Sequence, residues 1–362
     1  MAVRAFITGV SGTKLAAKER DFLRESEPWG FILFGRNIST PAQVRRLTEE
    51  CREAVGWNAP VLIDQEGGRV QRLGPPHWPL YPPGALFGRL YDRDCATGLA
   101  AAGLGARLIA SDLKSLGIDV NCMPVADVPA RGANPIIGDR AYGRAPDPVA
   151  ARGGAVAAGL LAGGVLPVLK HLPGHGRARA DSHLRLPVVK TPRDELEACD
   201  FAAFRGLSRL PLGMTAHVIF SAFDPVAPAT TSATIVDEVI RGLIGFEGLL
   251  MSDDIGMAAL SGTTSERTRA VYAAGCDVVL HCNGNLKEME QVAAEACVLE
   301  GAAGKRAKAA LSARLEPEEF DPVEGRKTFA SLIGASRARP IGRTRRAPVR
   351  KVASRVARRG RR

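Results

Sequence analysis

The stretch GVLPVLKHLPGHGRARADSH, residues 164–183, joins an apolar run to a polar loop. Its first six residues, Gly164 to Leu169, read as a buried parallel strand. Lys170 and His171 then fall at the strand's C-terminal end, and His175, Asp181 and His183 in the loop beyond it. Half of the six histidines lie in these twenty residues. Open and closed α/β folds place their chemistry at such strand ends. Asp181 and His183 are two positions apart, so a short turn lets the carboxylate reach the imidazole. A histidine backed by a carboxylate is a tuned proton carrier.

Seven further runs of the same kind extend outward from this one. They are AFITGV (5–10), GFILF (30–34), PVLID (60–64), IDVNCMPV (118–125), PLGMTAHV (211–218), GLLMSD (248–253) and DVVLHC (277–282). Helix-like stretches separate them, among them 41–55, the Ala-rich 96–116, 149–163, 193–208, 234–244 and 286–300. Strands alternating with helices imply parallel pairing through crossovers. Eight such units predict a single-domain α/β fold, a (β/α)8 TIM-type barrel over residues 1–335. The competing architecture is a doubly wound open sheet. Its dinucleotide fingerprint is missing, because Gly9 and Gly12 alone do not make G-x-G-x-x-G. In a barrel the strand ends converge on one face, so residues remote in sequence meet there.

Composition sets the outer bounds. The chain has 362 residues, of which 46% are hydrophobic, enough for a large core. The net charge of +11 is carried by the C-terminus. Residues 336–362 hold twelve Lys/Arg and no acid; taking those from +11 leaves −1 on residues 1–335. Few apolar residues and high charge predict a disordered basic tail. The default reading is a solvated extension, though its charge suits contact with anionic lipid, nucleic acid or ribosomal surfaces. The seven cysteines are scattered and lack C-x-x-C spacing, which points to a reducing compartment. The N-terminus reads as a first strand rather than a signal peptide, and no apolar run is long enough for a membrane span. A cytoplasmic monomer is therefore the expectation.

Several strand-end residues are candidates for chemistry. Asp253, in LLMSDDIGM, is a nucleophile or a stabiliser of positive charge; its plain alternative is a capping or loop acid. Asp254 should point elsewhere, because adjacent strand side chains alternate, and reads as a helix N-cap. Asp64, in VLIDQEGGRVQR, can accept two hydrogen bonds from vicinal sugar hydroxyls. Of Arg69 and Arg72 one should face inward and one solvent. Arg140 sits in the structured loop NPIIGDRAYG, with Asp139 beside it as a surface acid. Lys170 and His171 can grip hydroxyl or carbonyl oxygens. His217 is either a site residue or a core histidine satisfied by the backbone. The spacing H-x3-H-x7-H of His171, His175 and His183 fits no common zinc pattern, and Pro173-Gly174 breaks any helix that would align the first two. No metal and no cofactor are expected.

Taken together, DQEGGRVQR (64–72), NPIIGDRAYG (134–143), KHLPGHG (170–176), DSHLRLP (181–187) and SDDIGM (252–257) resemble the bacterial β-N-acetylglucosaminidases of glycoside hydrolase family 3. KH-x-PGHG followed by DSH-x-x-LP is highly specific to that group. Leu172 and Gly256 depart from it, standing where Phe and Ser are usual. The resemblance implies a single (β/α)8 barrel of the peptidoglycan-recycling type. It implies Asp253 as nucleophile, His183 as general acid/base and Asp181 as the group that holds and tunes His183. Asp64, Arg72, Arg140, Lys170 and His171 would bind the N-acetylglucosamine unit of a muropeptide. Most retaining glycosidases use two carboxylates about 5–5.5 Å apart; here one would be an imidazole, a group whose unperturbed pKa of about 6.5 suits both giving and taking a proton. The loop that carries it is expected to move onto bound substrate. A histidine repels phosphate less than a carboxylate does, so a β-N-acetylglucosaminide phosphorylase is the alternative. A non-catalytic sugar- or nucleic-acid-binding protein is a more distant one.

Overall fold

The computed structural model describes residues 3–334. Eight strands form a closed barrel: β1 (Arg4–Gly9), β2 (Pro28–Leu33), β3 (Val61–Ile63), β4 (Val120–Asn121), β5 (Leu166–Leu172), β6 (Leu212–Thr215), β7 (Leu249–Asp254) and β8 (Val278–His281). Every neighbouring pair is parallel and follows chain order, and β8 closes on β1 through Phe6 opposite Val279 and Thr8 opposite His281. Each apolar run read from the sequence supplies one strand, and the (β/α)8 expectation holds. The basic segment 336–362 lies outside the described residues.

Parity along the strands decides what faces the barrel axis. Leu249 and Met251 of β7, Leu166 and Val168 of β5, and Leu62 of β3 belong to one buried cluster with Val120, Leu212, Met214, Val278 and Leu280. Their strand neighbours Leu250, Leu169, Val61 and Ile63 belong to the clusters beneath the surrounding helices. Side chains alternate with a period of two. Two residues past the last inward position therefore come Asp253, Lys170 and Asp64, carried inward at the C-terminal rim. Past β6 the parity set by Met214 breaks down: Ala216 and Val218 belong to the cluster beneath the helices, and His217 stands between them.

Local sequence fixes the outer layer. Helix α1 (Pro41–Val55) starts with Pro41 behind an N-cap, Thr40, whose hydroxyl accepts from the Gln43 amide at 3.3 Å, and ends on Gly56 at φ 73°. Helix α2 (Cys95–Lys114) is capped by Asp94 and packs on α3 (Pro146–Ala162). Their Ala/Gly content lets the backbones approach closely: a Cβ on Gly159 would sit 2.2 Å from the Gly103 carbonyl oxygen. The sequence reading passed over the short helices Ala17–Ser26 and Thr264–Ala273, which complete the ring.

Two acids at strand starts serve the opposite, N-terminal end. Asp119 pairs with Arg52 at 3.3 Å and with Arg314. Asp277 pairs with Arg241 and Arg306, each at 2.8 Å, and accepts the Leu250 amide at 2.9 Å. These fasten the bottom of the barrel, where side chains serve stability. Two short ribbons shape the top. Gln65–Gly67 pairs with Val70–Gln71, and Val188–Val189 pairs with Ile219–Phe220 and anchors the far end of the loop after β5. Among the described residues no helix is long and apolar enough to cross a membrane.

Candidate active site

At the C-terminal rim of the barrel lies a cavity of about 390 Å³, within the usual range for small-molecule sites. Ile32, Phe34, Met214 and Leu280 give it apolar walls. Seven of the eight predicted site residues line it: Asp64, Arg72, Arg140, Lys170, His171, His183 and Asp253. The eighth, Asp181, stands behind His183.

A chain of ion pairs organises one side. Asp64 accepts Lys170 Nζ at 2.8 Å and Arg72 Nη2 at 3.0 Å. Lys170 Nζ also lies 2.7 Å from Glu66 Oε1. Arg140 grips Glu66 with two parallel bonds, Nε to Oε2 and Nη2 to Oε1, both 2.8 Å. Burial opposes charge on both carboxyls, but the cations win. Lys170 and Arg72 hold Asp64 well below the usual range, and Arg140 and Lys170 hold Glu66 at about 2. Burial likewise works against the Lys170 ammonium, and Asp64 and Glu66 outweigh it and raise its pKa. Asp64, Glu66 and Lys170 are thus ionised at neutral pH, and Asp64, Arg72, Arg140 and Lys170 line the cavity.

His171 is oriented from behind. Its Nδ1 lies 2.7 Å from Asp127 Oδ2, and Asp127 Oδ1 also accepts the His175 amide at 2.5 Å. Asp127 is fully buried; burial pushes its carboxyl up, and His171, His175 and these bonds bring it below the ordinary value. The ring donates its Nδ1–H to the Asp127 carboxylate, which turns Nε2 toward Arg140 Nη2, 3.5 Å away.

Asp253 differs from its neighbours. One oxygen, Oδ1, accepts the Asp254 amide at 2.8 Å. Among the described residues Oδ2 has no hydrogen bond and the carboxylate no ion pair. Burial raises its pKa, but His217, His171, the Asp254 amide and Lys170 together bring it below the ordinary value. It is an ionised carboxylate with an open oxygen facing a cavity. Asp254 is not the predicted helix cap: Thr263 caps the next helix. Instead Asp254 Oδ1 accepts the amides of Gly256 at 3.0 Å and Cys282 at 3.1 Å. A register shift between Met251 and Asp254 frees it to do so while still bordering the cavity.

His183 sits on the rim with its side chain 61% exposed. Asp181 Oδ1 accepts both its Nδ1 at 2.8 Å and its backbone amide at 2.9 Å, which presents Nε2 outward. Burial pushes the Asp181 carboxyl up, and those bonds to His183 bring it below its ordinary value. His217 is the satisfied core histidine: Nδ1 meets Thr230 Oγ1 at 2.7 Å and Nε2 meets the Asp254 carbonyl at 2.9 Å. His175 is buried and pushed down to about 4, chiefly by that burial. Arg72 joins the ion-pair network; Arg69 is exposed but also borders the cavity, contrary to the expectation that one of the two would face solvent, and lies 3.3 Å from the surface acid Asp139.

Residues 3–313 match the model of the glycosyl hydrolase family 3 N-terminal domain. The chain belongs to glycosyl hydrolase family 3. This family 3 glycoside hydrolase is 42% identical over 287 residues to a protein of Alkalilimnicola ehrlichii named beta-hexosaminidase, covering 78% of this chain and 82% of that one. A beta-hexosaminidase of Stenotrophomonas maltophilia is 39% identical over 284 residues, with 77% and 84% covered. Among solved structures, NagZ from Neisseria gonorrhoeae in complex with N-trifluoroacetyl-D-glucosamine superposes with a TM-score of 0.81 at 31% identity, covering 92% of this chain and 98% of that one.

Sequence reasoning missed Glu66 and Asp127, the two acids that brace Arg140, Lys170 and His171 from behind. Glu66 carried a signal, since it is two residues beyond Asp64 in an extended segment and so shares its face. Asp127 lies in VADVP with buried apolar residues on both sides, where an acid needs a partner.

Proposed function

We propose that this glycoside hydrolase is a retaining exo-β-N-acetylglucosaminidase. It would release terminal β-linked N-acetylglucosamine from muropeptides in the cytoplasm, in peptidoglycan recycling. The observation that carries the reading is the unpaired, half-buried Asp253 carboxylate in one cavity with the Asp64–Lys170–Glu66–Arg140 network and with His183. The relatives' names, beta-hexosaminidase and NagZ, and the glucosamine derivative bound to the latter supply the substrate class.

The geometry supports the following mechanism. Asp64, Arg72, Arg140, Lys170 and His171 hold the sugar's hydroxyl and acetamido oxygens. Asp253 Oδ2 attacks the anomeric carbon as the glycosidic bond breaks, giving a covalent glycosyl-enzyme. His183 gives its Nε2 proton to the departing oxygen. Once neutral, it takes a proton from the water that attacks the intermediate. Nδ1 keeps its proton throughout and donates it in a hydrogen bond to Asp181, so that Nε2 is the exchanging atom. Two inversions give net retention.

Proton NMR of a chromogenic N-acetyl-β-D-glucosaminide during turnover tests this directly. The β-anomer of N-acetylglucosamine should appear first; the α-anomer first would refute double displacement. Adding phosphate separates hydrolase from phosphorylase, since the latter releases the sugar 1-phosphate. Deleting 336–362 should leave turnover intact.

A further inference from the structure

A second cleft, of about 520 Å³, opens beside the candidate active site. Arg131, Arg177, Arg179 and Lys190 line it. Arg177 is neutralised by Asp200 at 2.5 Å and Glu195 at 2.6 Å. Arg131, Arg179 and Lys190 are exposed, and among the described residues they make no ion pair or side-chain hydrogen bond. Three uncompensated cations around one concavity form an anion site rather than a scattering of surface charge.

The cleft and the candidate active site share a wall. The loop after β4 is joined to the loop after β5 by bonds from the Ala130 amide to the Gly176 carbonyl (3.0 Å) and from the Asn134 amide to the Ala178 carbonyl (2.8 Å). On one side of this seam Arg131 and Arg179 face the cleft; on the other, Ile136 and His183 face the sugar cavity. Arg179 and His183 are four positions apart, so their Cα atoms are at most about 14 Å apart. That is the span of about four extended peptide residues. His183 would protonate the leaving oxygen, so whatever follows that oxygen leaves the cavity on the His183 side.

We infer that this cleft is the subsite for the leaving group and that it selects aglycones carrying several carboxylates within about four peptide residues of the scissile bond. The inference rests on the proposed glycosidase reading. It names the part of the substrate that the sugar-binding network does not touch. Arg131, Arg179 and Lys190 are specificity residues here, remote from the reacting atoms.

The test compares two N-acetyl-β-D-glucosaminides, one with a neutral aromatic aglycone and one whose aglycone bears a triglutamate chain. They are assayed with the wild type and with Arg131→Ala/Arg179→Ala/Lys190→Ala. The wild type should favour the acidic substrate in kcat/KM, mostly through KM. Each cation removed should cut that preference about two- to five-fold. Turnover of the neutral substrate should stay unchanged. The preference should fade between 20 mM and 300 mM NaCl, as it does for exposed charges. Equal preference in wild type and triple variant would overturn the proposal. Calorimetric titration with the triglutamate chain alone keeps the two readings apart. Turnover of the neutral substrate without chain binding defeats the cleft alone, whereas chain binding lost in the triple variant upholds the cleft even if no glycoside is cleaved. Inorganic phosphate at equal ionic strength displacing the chain as well as a second triglutamate does would reduce the cleft to a generic anion patch and also defeat the proposal.

Discussion

Replacing Lys170 by Met removes the one cation shared by two buried carboxylates. Lys170 is 2% exposed, and its ammonium sits 2.8 Å from Asp64 and 2.7 Å from Glu66. Methionine keeps the approximate volume of the stem, so the loss is electrostatic. Asp64 would keep Arg72 and Glu66 would keep Arg140, but each would face the other without the charge between them. Breaking a buried pair from one side costs about 3–5 kcal/mol. At about 2 °C per kcal/mol for a chain of this size, the melting temperature should fall by roughly 6–10 °C. The pH dependence identifies the cause. Asp64 and Glu66 have folded-state pKa values below their unfolded ones. Such groups contribute stability above the unfolded value, and that stability is lost as pH falls through the folded value. The gap between wild type and Lys170→Met should therefore be full at pH 7 and shrink between the ordinary glutamate value of 4.5 and the Glu66 value of about 2. Lys170 itself has a raised pKa, so its contribution persists up to its unfolded value of 10.5 and is lost only above that. Urea unfolding followed by tryptophan fluorescence at pH 7 and pH 3 measures both gaps. A gap below about 1 kcal/mol at pH 7, or the same gap at both pH values, would refute the reasoning.

Four other substitutions probe separate parts of the molecule. Asp253→Ala should lower kcat by several orders of magnitude on any N-acetylglucosaminide while circular dichroism and melting stay close to wild type, because its Oδ2 makes no structural bond. His183→Ala should slow substrates with poor leaving groups far more than activated aryl glycosides, and Asp181→Asn should do the same more weakly; equal losses on both substrate types would remove His183 from the proton-donor role. At the opposite end of the barrel, Asp277→Ala strands Arg241, Arg306 and the Leu250 amide. It should cost about 3–5 kcal/mol in urea unfolding and leave kcat/KM unchanged where the protein remains folded.

How much of this was legible in the sequence depended on the distance over which each feature is determined. A strand that is buried on both faces needs only its own apolar residues, so all eight runs could be read. Inward direction is a matter of parity, so Asp64, Lys170 and Asp253 could be placed from the residues two positions before them. Asp254 broke the rule because a register shift in β7, invisible in the sequence, turned its carboxylate onto two backbone amides. For Asp127 and Glu66 the sequence could suggest a buried acid but not its partner. Their roles exist only through partners 44 and 74 residues away, His171 and Arg140. A single sequence gives the spacing along the chain and not the pairing across the barrel. His217 shows the converse, a histidine well placed at a strand end whose ring is claimed by Thr230 and a carbonyl.

The division of charge within the cavity gives the proposed chemistry its direction. Asp64 and Glu66 are each bound to two cations, and Asp127 is tied to a histidine and a backbone amide. Asp253 alone among these carboxylates meets neither a cation nor a second donor. A developing oxocarbenium ion would therefore find its counter-charge at Asp253. The sugar's neutral hydroxyls would meet the saturated side, where the positive charges are already spent and bind by hydrogen bonding. Rigidity is divided the same way. The nucleophile candidate rides on a barrel strand, while the proposed proton carrier rides on an exposed loop held by one aspartate. Attack on carbon demands near-attack geometry, which a strand supplies. Proton transfer must serve first a leaving sugar and then an incoming water at nearly the same place, and an imidazole on a loop can adjust between the two. Changing how that loop sits, as Ser182→Pro does by fixing one backbone dihedral and removing the hydroxyl that meets His175 Nε2 at 3.1 Å, should therefore harm turnover more than sugar binding. A rise in the dissociation constant for N-acetylglucosamine as large as the fall in kcat would contradict this separation of roles.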